Sequence, residues 1–214
     1  MDDNLRQEAV KYMRKAKDEL VAKFADLKSH PEVQSPVSVF MAGSPGAGKT
    51  EFSKNLIKEL GEGVVRIDPD EIRSVLPQYT GGNASLFQSA IKIGVDHLFY
   101  FALANNQNFV LDGTLANFEM AQLNTQRCLE RRNFVEVFYL FQDPLVAWKF
   151  TEKREVLEGR NITKEAFVRA FISSKENVNY LKDVFKDKVR MNLIIKDYNN
   201  DVGKTKLDID NVDS

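Results

Sequence analysis

The feature that most constrains this chain is the octapeptide GSPGAGKT at residues 43–50, which fits the pattern G-x-x-x-x-G-K-[ST] of a phosphate-binding loop. The apolar run VSVFMA stands before it, and the helical segment TEFSKNLIKEL begins at its last residue. A strand, a glycine-rich bend and a helix in this order direct backbone N–H groups and the positive end of a helix at phosphate oxygens. The sequence therefore predicts a nucleotide-binding loop inside an α/β fold.

Each residue type in this loop has a physical role. The glycines let the backbone bend so that N–H groups approach phosphate oxygens without a Cβ atom in the way. We expect Lys49 to contact the β- and γ-phosphates and the Thr50 hydroxyl to bind Mg²⁺. The residues predicted to hold the nucleotide are Gly43, Ser44, Pro45, Gly46, Ala47, Gly48, Lys49 and Thr50.

Composition limits the other classes of function. The 214 residues contain 30 basic and 31 acidic side chains, a net charge of -1, so no diffuse positive field favours nucleic-acid binding. One cysteine and two histidines exclude an intramolecular disulfide and a Cys/His zinc cluster. The N-terminus lacks the pattern of a secretory signal, and no run approaches the roughly 18 apolar residues of a membrane span. We therefore expect a cytoplasmic protein without membrane association.

Strand-like and helix-like segments alternate along the chain. Runs rich in β-branched and aromatic residues lie at 37–41, 64–67, 108–111, 134–141 and 189–195. Helical segments lie at 50–60, 85–104, 118–131 and 164–186, and Asp143-Pro144 is predicted to open a further helix, with Asp143 as the N-cap and Pro144 at the first helical position. Alternation of this kind predicts βαβ units, and hence a P-loop kinase-like, mainly parallel sheet flanked by helices.

The ends of the chain carry two further elements. Residues 1–35 are predicted to form a connector and one amphipathic helix of about seven turns, which we expect to pack on the protein's own sheet rather than on a partner. Its apolar stripe consists of Leu5, Ala9, Met13, Ala16, Leu20, Phe24 and Leu27. Residues 36–196 form the predicted core, and 197–214 a hairpin followed by an acidic tail, all in a single domain.

Three carboxylates follow predicted strands. Asp68 and Asp70 come after the second strand, at the edge where open α/β sheets bind ligands, so either could orient an acceptor hydroxyl and take its proton. The alternative for Asp70 is the N-cap of a short helix. Asp112, after the third strand, resembles an acid that holds Mg²⁺, and the alternative is a carboxylate of a turn.

Two arginines flank the segment EVLEG near a predicted lid. Arg154 and Arg160 would neutralise a transferred phosphoryl group if Gly159 acted as a hinge, and otherwise they belong to a solvated helix face. Asp96, within the segment 85–104, faces either solvent or the cleft. Since the base-reading NKxD element of switch GTPases is absent, these features favour a small P-loop kinase.

In their order along the chain, GSPGAGKT, IDPDEIR, VLDGT, Arg154 and the segment RNITKEAF from Arg160 resemble the zeta-toxin/PezT family of bacterial toxin–antitoxin kinases. The resemblance covers nearly the whole chain. It implies an enzyme that uses ATP or GTP and Mg²⁺ to phosphorylate a hydroxyl of a nucleotide sugar, notably UDP-N-acetylglucosamine. It also implies a small helical antitoxin as partner.

Site residues carry over position by position. The resemblance makes Asp70, rather than Asp68, the catalytic base, and makes Arg154 and Arg160 the pair that clamps the phosphates. It makes Thr114 a residue on the substrate side.

This chain departs from the family pattern at three positions. Asp96 stands where relatives have a substrate-binding glutamate, and Asp112 stands where they have a glutamate after the third strand. Asn124 stands where a substrate-contacting threonine is expected. Asn117 is the candidate to take over the role of that threonine. Each aspartate is one methylene shorter than glutamate, so the same chemistry is compatible with a different sugar.

Two alternatives stay open from the sequence. One is a P-loop kinase for another hydroxyl, such as that of an antibiotic or a polynucleotide 5′ end. The other is a nucleotide-binding interaction protein in which phosphoryl transfer is vestigial.

Overall fold

A six-stranded sheet forms the centre of the molecule. The computed structural model describes residues 2–131, 133–159, 162–199 and 201–213. The strands are β1 (Val37–Ala42), β2 (Val65–Ile67), β3 (Phe109–Leu111), β4 (Phe134–Phe141), β5 (Val189–Lys196) and β6 (Val202–Lys206). Their order is β2-β3-β1-β4-β5-β6, and all neighbours are parallel except β5 and β6. The five strands predicted from the sequence are confirmed, and the predicted hairpin adds the sixth.

Helices flank this sheet. They are α1 (Asp2–Lys15), α2 (Lys17–Phe24), α3 (Lys49–Leu60), α4 (Pro69–Arg73), α5 (Gln88–Ala104), α6 (Phe118–Glu130), α7 (Pro144–Glu158) and α8 (Lys164–Phe185). The predicted start of α7 is confirmed, because the Asp143 side chain accepts hydrogen bonds from the backbone N–H groups of Leu145 and Val146 at 2.9 and 3.2 Å. Among the described helices, none has the length and apolar character needed to cross a membrane.

The central strand β1 is buried on both faces, as parallel strands usually are. On one face Phe40 packs edge-on against Phe109, which in turn packs edge-on against Phe99 of α5. On the other face Val39 and Met41 belong to a second apolar cluster, against which Phe52 and Leu56 of α3 pack. This double cover fixes the end of β1, where the phosphate-binding loop begins.

The N-terminal amphipathic helix is not continuous. Ala16 leaves the helical conformation (ψ 17°) and divides the predicted seven-turn helix into α1 and α2. Met13 on α1 is fully buried and lies against α5, where a Cβ on Gly94 would be 3.0 Å from its sulfur. The expectation that the helix covers the sheet is therefore wrong for α1, which covers α5, while α2 reaches β2. Leu27 is 49% exposed and lies outside the apolar stripe.

The C-terminal hairpin and tail fold onto the body of the protein. In the turn, the Asp197 carboxylate accepts from the backbone N–H groups of Asn199 and Asp201 at 2.8 and 2.9 Å. Beyond β6, Asp213 forms an ion pair with Lys175 of α8. The acidic tail therefore lies along α8, and Asn200 of the predicted turn is outside the described residues.

Because Met13 is buried between α1 and α5, its replacement should have a large effect on stability. Replacing Met13 by Ala removes buried methylene groups and leaves a cavity, so the free energy of unfolding should fall by about 2–5 kcal/mol in a urea titration. The control Gln7→Ala, on the exposed face of the same helix, should change it by about 0.5 kcal/mol or less. Equal effects of the two substitutions would show that α1 does not pack as described.

Candidate active site

The phosphate-binding loop is shaped by close backbone contacts. Gly43, Gly46 and Gly48 have φ values of +130°, +75° and +78°, which favour glycine. A Cβ atom on Gly43 would collide with the carbonyl oxygen of Leu140, and one on Gly46 with that of Ala147. The loop therefore packs directly against the end of β4 and the first turns of α7.

Lys49 bends back over this loop. Its ammonium group donates to the carbonyl oxygens of Gly43 at 3.0 Å and Ser44 at 2.6 Å. Lys49 and Thr50 are the first two residues of α3, so backbone N–H groups without helical partners surround the same space. The arrangement places a cation and a helix N-terminus where phosphate oxygens bind in loops of this type.

Asp68 caps α4. Its carboxylate accepts from the backbone N–H of Asp70 at 2.8 Å, and Pro69 takes the first helical position. The N-cap alternative for Asp70 is therefore wrong, because Asp68 fills that role. Burial raises the pKa of Asp68, an effect that the Arg66 guanidinium opposes and Asp112 reinforces.

Asp70 lies between two arginines. Its carboxylate accepts from Arg73 at 2.9 Å on its own helix and from Arg154 of α7 at 3.2 Å. Arg154 is 84 residues away in sequence, so α7 brings it to the edge of the sheet where β2 ends. The Arg154 side chain is 40% exposed and is held against Asp70, while its predicted role at a transferred phosphoryl group stays a prediction. Arg160, its predicted partner, lies outside the described residues.

One face of α7 connects the loop to Asp70. Ala147, Thr151 and Arg154 follow one another at spacings of four and three and so share a face of the helix. A Cβ on Gly46 would meet the Ala147 carbonyl oxygen and lie 3.2 Å from Cγ2 of Thr151. The packing that holds α7 against the phosphate-binding loop therefore also positions Arg154 beside Asp70.

Arg66 is the main site residue that the sequence prediction missed. It lies on β2 with a side chain only 10% exposed, and it forms ion pairs with three carboxylates, those of Asp68, Glu71 and Asp112. Burial acts to lower the pKa of Arg66, but Asp68 and Asp112 outweigh it and the pKa is raised. A charged residue inside the apolar run VVRI was the signal for a buried ion pair.

Asp112 reaches from β3 to the first turns of α3. Its Oδ2 accepts from the Ser53 hydroxyl at 2.8 Å and from Arg66, and Ser53 lies three residues after Thr50. A hydroxyl and a carboxylate oxygen suit Mg²⁺, which takes few protein ligands and completes its shell with phosphates and water. In the described part of the chain, no cluster of three or more acidic, His or Cys side chains is placed to hold a metal. Thr50 and Asp112 carry the oxygen types that Mg²⁺ binds, and their role in holding the ion stays a prediction.

The loop after β3 docks onto the phosphate-binding loop. The Thr114 carbonyl oxygen accepts from the backbone N–H of Gly43 at 3.2 Å. The next residue, Leu115, has φ +55°, and its carbonyl oxygen accepts from the Asn177 amide of α8 at 2.9 Å. Asn177 was also missed, because a contact across 62 residues leaves no local signal. Thr114 is thus held next to the site.

The other residues predicted on the substrate side have local partners. Asn117 caps α6 by accepting from the backbone N–H of Met120 at 2.9 Å. Asn124 is buried and lies 3.4 Å from the Arg127 guanidinium. Asp96 pairs with Lys92, one turn earlier on α5, at 2.7 Å. The contacts described for these three residues do not join them to the phosphate-binding loop or to Asp70.

The sheet order, the loop after the central strand and the acids at the ends of β2 and β3 together define a P-loop kinase-like fold. The sequence profile described as "Zeta toxin" matches residues 21–207, and the chain belongs to this family.

Solved structures share the fold. A chain from the PezAT chromosomal toxin–antitoxin system of Streptococcus pneumoniae superposes with a TM-score of 0.71 at 16% identity, over 90% of this chain and 80% of that chain. A chain from the crystal structure of AvrRxo1-ORF1:-ORF2 with ATP gives 0.62 at 15% identity, over 95% and 65%. At these identities the likeness concerns the fold.

A curated protein is similar over part of the chain. The protein named Lon protease from Endomicrobium trichonymphae is 32% identical over 107 residues, which are 47% of this chain and 12% of that protein. This chain thus matches only a small part of that relative's length.

Removing the Arg66 guanidinium should leave buried carboxylates without a cationic partner. Arg66→Met leaves Asp68 and Asp112 without their cation, so the free energy of unfolding should fall by about 3–5 kcal/mol in denaturant titrations. Arg190→Met is the matched control, because Arg190 is 61% exposed where it pairs with Glu136, and it should cost about 1 kcal/mol or less. A decrease at Arg66 no larger than at Arg190 would contradict the network.

Proposed function

We propose that this protein is a kinase that transfers the γ-phosphoryl group of ATP or GTP to a hydroxyl of a nucleotide sugar, with UDP-N-acetylglucosamine as the favoured acceptor. The contact that carries the proposal is the 3.2 Å pair between Asp70 and Arg154, beside a loop suited to a triphosphate. Asp70 would act on the acceptor hydroxyl, and Arg154, which lies beside it, would act on the transferred phosphoryl group. Membership in the zeta toxin family supports the choice of acceptor.

In this proposal Asp70 orients the acceptor hydroxyl and takes its proton. A bond forms between the hydroxyl oxygen and the γ-phosphorus while the bond from that phosphorus to the β,γ-bridging oxygen breaks, and the proton passes to the Asp70 carboxylate. Phosphoryl transfer depends on positioning more than on base strength. Arg73, 3% exposed, fixes the carboxylate from the opposite side to Arg154.

Cationic groups of the chain stabilise the charge that develops. Lys49 binds the β- and γ-phosphate oxygens, and Arg154 neutralises the equatorial oxygens of the transferred group, with Arg160 as the second arginine. Mg²⁺, held by Thr50 and Asp112, supplies further charge neutralisation when it is bound. On the acceptor side, we assign Thr114, Asp96, Asn117 and Asn124 to the sugar.

The proposal extends to partner and location. Family membership supports a small helical antitoxin that restrains the kinase, and the protein is proposed to act in the cytoplasm.

Activity should depend on Asp70. With ATP, Mg²⁺ and UDP-N-acetylglucosamine, Asp70→Asn should lower the rate of sugar phosphate formation by about 10²–10⁴-fold, because the carboxylate can no longer take the proton. Formation of the phosphorylated sugar is measured by ³¹P NMR or mass spectrometry. Asp187→Asn, at an exposed position near the start of β5, is the control and should retain full activity.

Two further measurements separate the alternatives. The unfolding transition of Asp70→Asn shows whether removal of the Arg73 partner, rather than of the base, explains the result. A panel of other hydroxyl acceptors, including a 5′-hydroxyl oligonucleotide, tests the substrate class, and a preferred oligonucleotide would overturn the sugar assignment. ATP binding without any phosphorylated product would instead favour an interaction protein.

A further inference from the structure

A cavity separate from the phosphate-binding loop lies between α2, α3 and the edge strand β2. Its volume is about 390 Å³, and its described lining contains none of residues 43–50. Lys58 on its wall lies eight residues beyond Thr50, about 12 Å along α3. Lys54, the lining residue nearest to the loop along α3, comes four residues after Thr50, so the cavity begins about 6 Å along the helix from the end of the phosphate-binding loop.

Three lysines line this cavity, and within the described part of the chain none of them has an acidic partner. Lys54 and Lys58 are one turn apart on α3, and Lys23 lies at the end of α2 with its ammonium 5.1 Å from the ring centre of Phe24. Among the described residues, none of these lysines forms an ion pair with a carboxylate. The acid in the lining, Glu71, is already paired with Arg66. Cations gathered in this way repel one another, and a bound anion would offset that repulsion.

The remaining wall of the cavity is apolar. Phe24 and Ile57 are partly buried against the core clusters, and Val64 is 7% exposed. An inorganic anion would contact only the lysines, whereas a ligand with a planar or apolar portion would also cover Phe24 and Ile57. The volume is near the lower limit for small-molecule sites, which suits a ligand the size of a mononucleotide.

We propose that this cavity is a second ligand site that binds an organic phosphate, with the phosphate on the three lysines and the organic portion against Phe24. This site goes beyond the kinase function proposed above and does not depend on phosphoryl transfer.

The cavity also shares a wall with the acidic cluster. Arg66 and Glu71 line it, and Arg66 forms ion pairs with Asp68 and Asp112 on the active-site side. A phosphate in the cavity attracts the Arg66 guanidinium and repels the Glu71 carboxylate. Occupancy of the cavity therefore acts on the same guanidinium that holds the two buried aspartates.

Chemical-shift mapping tests the proposal with the full chain. ¹⁵N-labelled protein is titrated with uridine 5′-monophosphate, inorganic phosphate or uridine as probes. We expect saturable shifts for amides of residues 54–58 and 64–66 and for the Nε–H signal of Arg66. We also expect the monophosphate to bind about ten-fold more tightly than either fragment, since it alone contacts both walls. Shifts confined to residues 43–50, or no saturable shift, would overturn the proposal.

A charge-matched pair of variants tests specificity. Lys54→Ala/Lys58→Ala should weaken binding of the monophosphate about ten-fold or more, since both substitutions remove a charge-assisted hydrogen bond. Lys186→Ala/Lys188→Ala removes the same charge from exposed positions before β5, outside the lining of the cavity, and should leave the affinity unchanged. Equal weakening by both pairs would indicate general electrostatic attraction and overturn the site. All four lysines are exposed, and a urea titration verifies that each variant folds.

Discussion

The close approach of the phosphate-binding loop to β4 and α7 is the constraint on which the rest of the site depends. A side chain at Gly43 or Gly46 would occupy the space of a backbone carbonyl oxygen, that of Leu140 or Ala147, so the loop and these carbonyls can lie this close only through glycine. Backbone in contact with backbone leaves little freedom for one element to shift against the other. The position of α7 over the loop, and therefore that of Arg154, depends on glycine at residues 43 and 46.

The second constraint is that the buried carboxylates near the end of β2 need positively charged and hydrogen-bonding partners. Asp68 and Asp112 are 4% and 6% exposed, and a buried carboxylate is costly unless a cation and hydrogen bonds accompany it. Arg66 and Ser53 provide these partners for Asp112, while Arg66 and the backbone N–H of Asp70 provide them for Asp68. Because one guanidinium faces three carboxylates, the cluster keeps excess negative charge. In the proposed function, a divalent cation beside the phosphates would offset that excess.

Features that depend on neighbouring residues could be predicted from the sequence, whereas features that depend on distant contacts could not. The strands, the loop at residues 43–50 and the cap at Asp143 rest on interactions among close neighbours in the chain, so periodicity and residue type were enough to find them. The break at Ala16 was not predictable, because the apolar stripe continues through it without a change of period or residue type. Arg66 was visible as a charge inside an apolar strand, but its three partners come from two different strand ends. Asp70 and Arg154 were each given a role by family resemblance, but their contact was not predicted, because no local signal joins residues so far apart.

The donor side and the acceptor side of the proposed site depend on different kinds of contact. The donor side is fixed by the backbone, through the glycine approaches and the bond from the N–H of Gly43 to the carbonyl of Thr114. In the proposed function the acceptor side depends on side chains such as those of Thr114, Asn117 and Asp96, and none of the backbone contacts on the donor side passes through these side chains. A shared fold therefore preserves the handling of phosphate more strictly than the choice of acceptor. For this reason the nucleotide loop can be recognised from eight residues of sequence, whereas proteins that share the fold can differ in their acceptor.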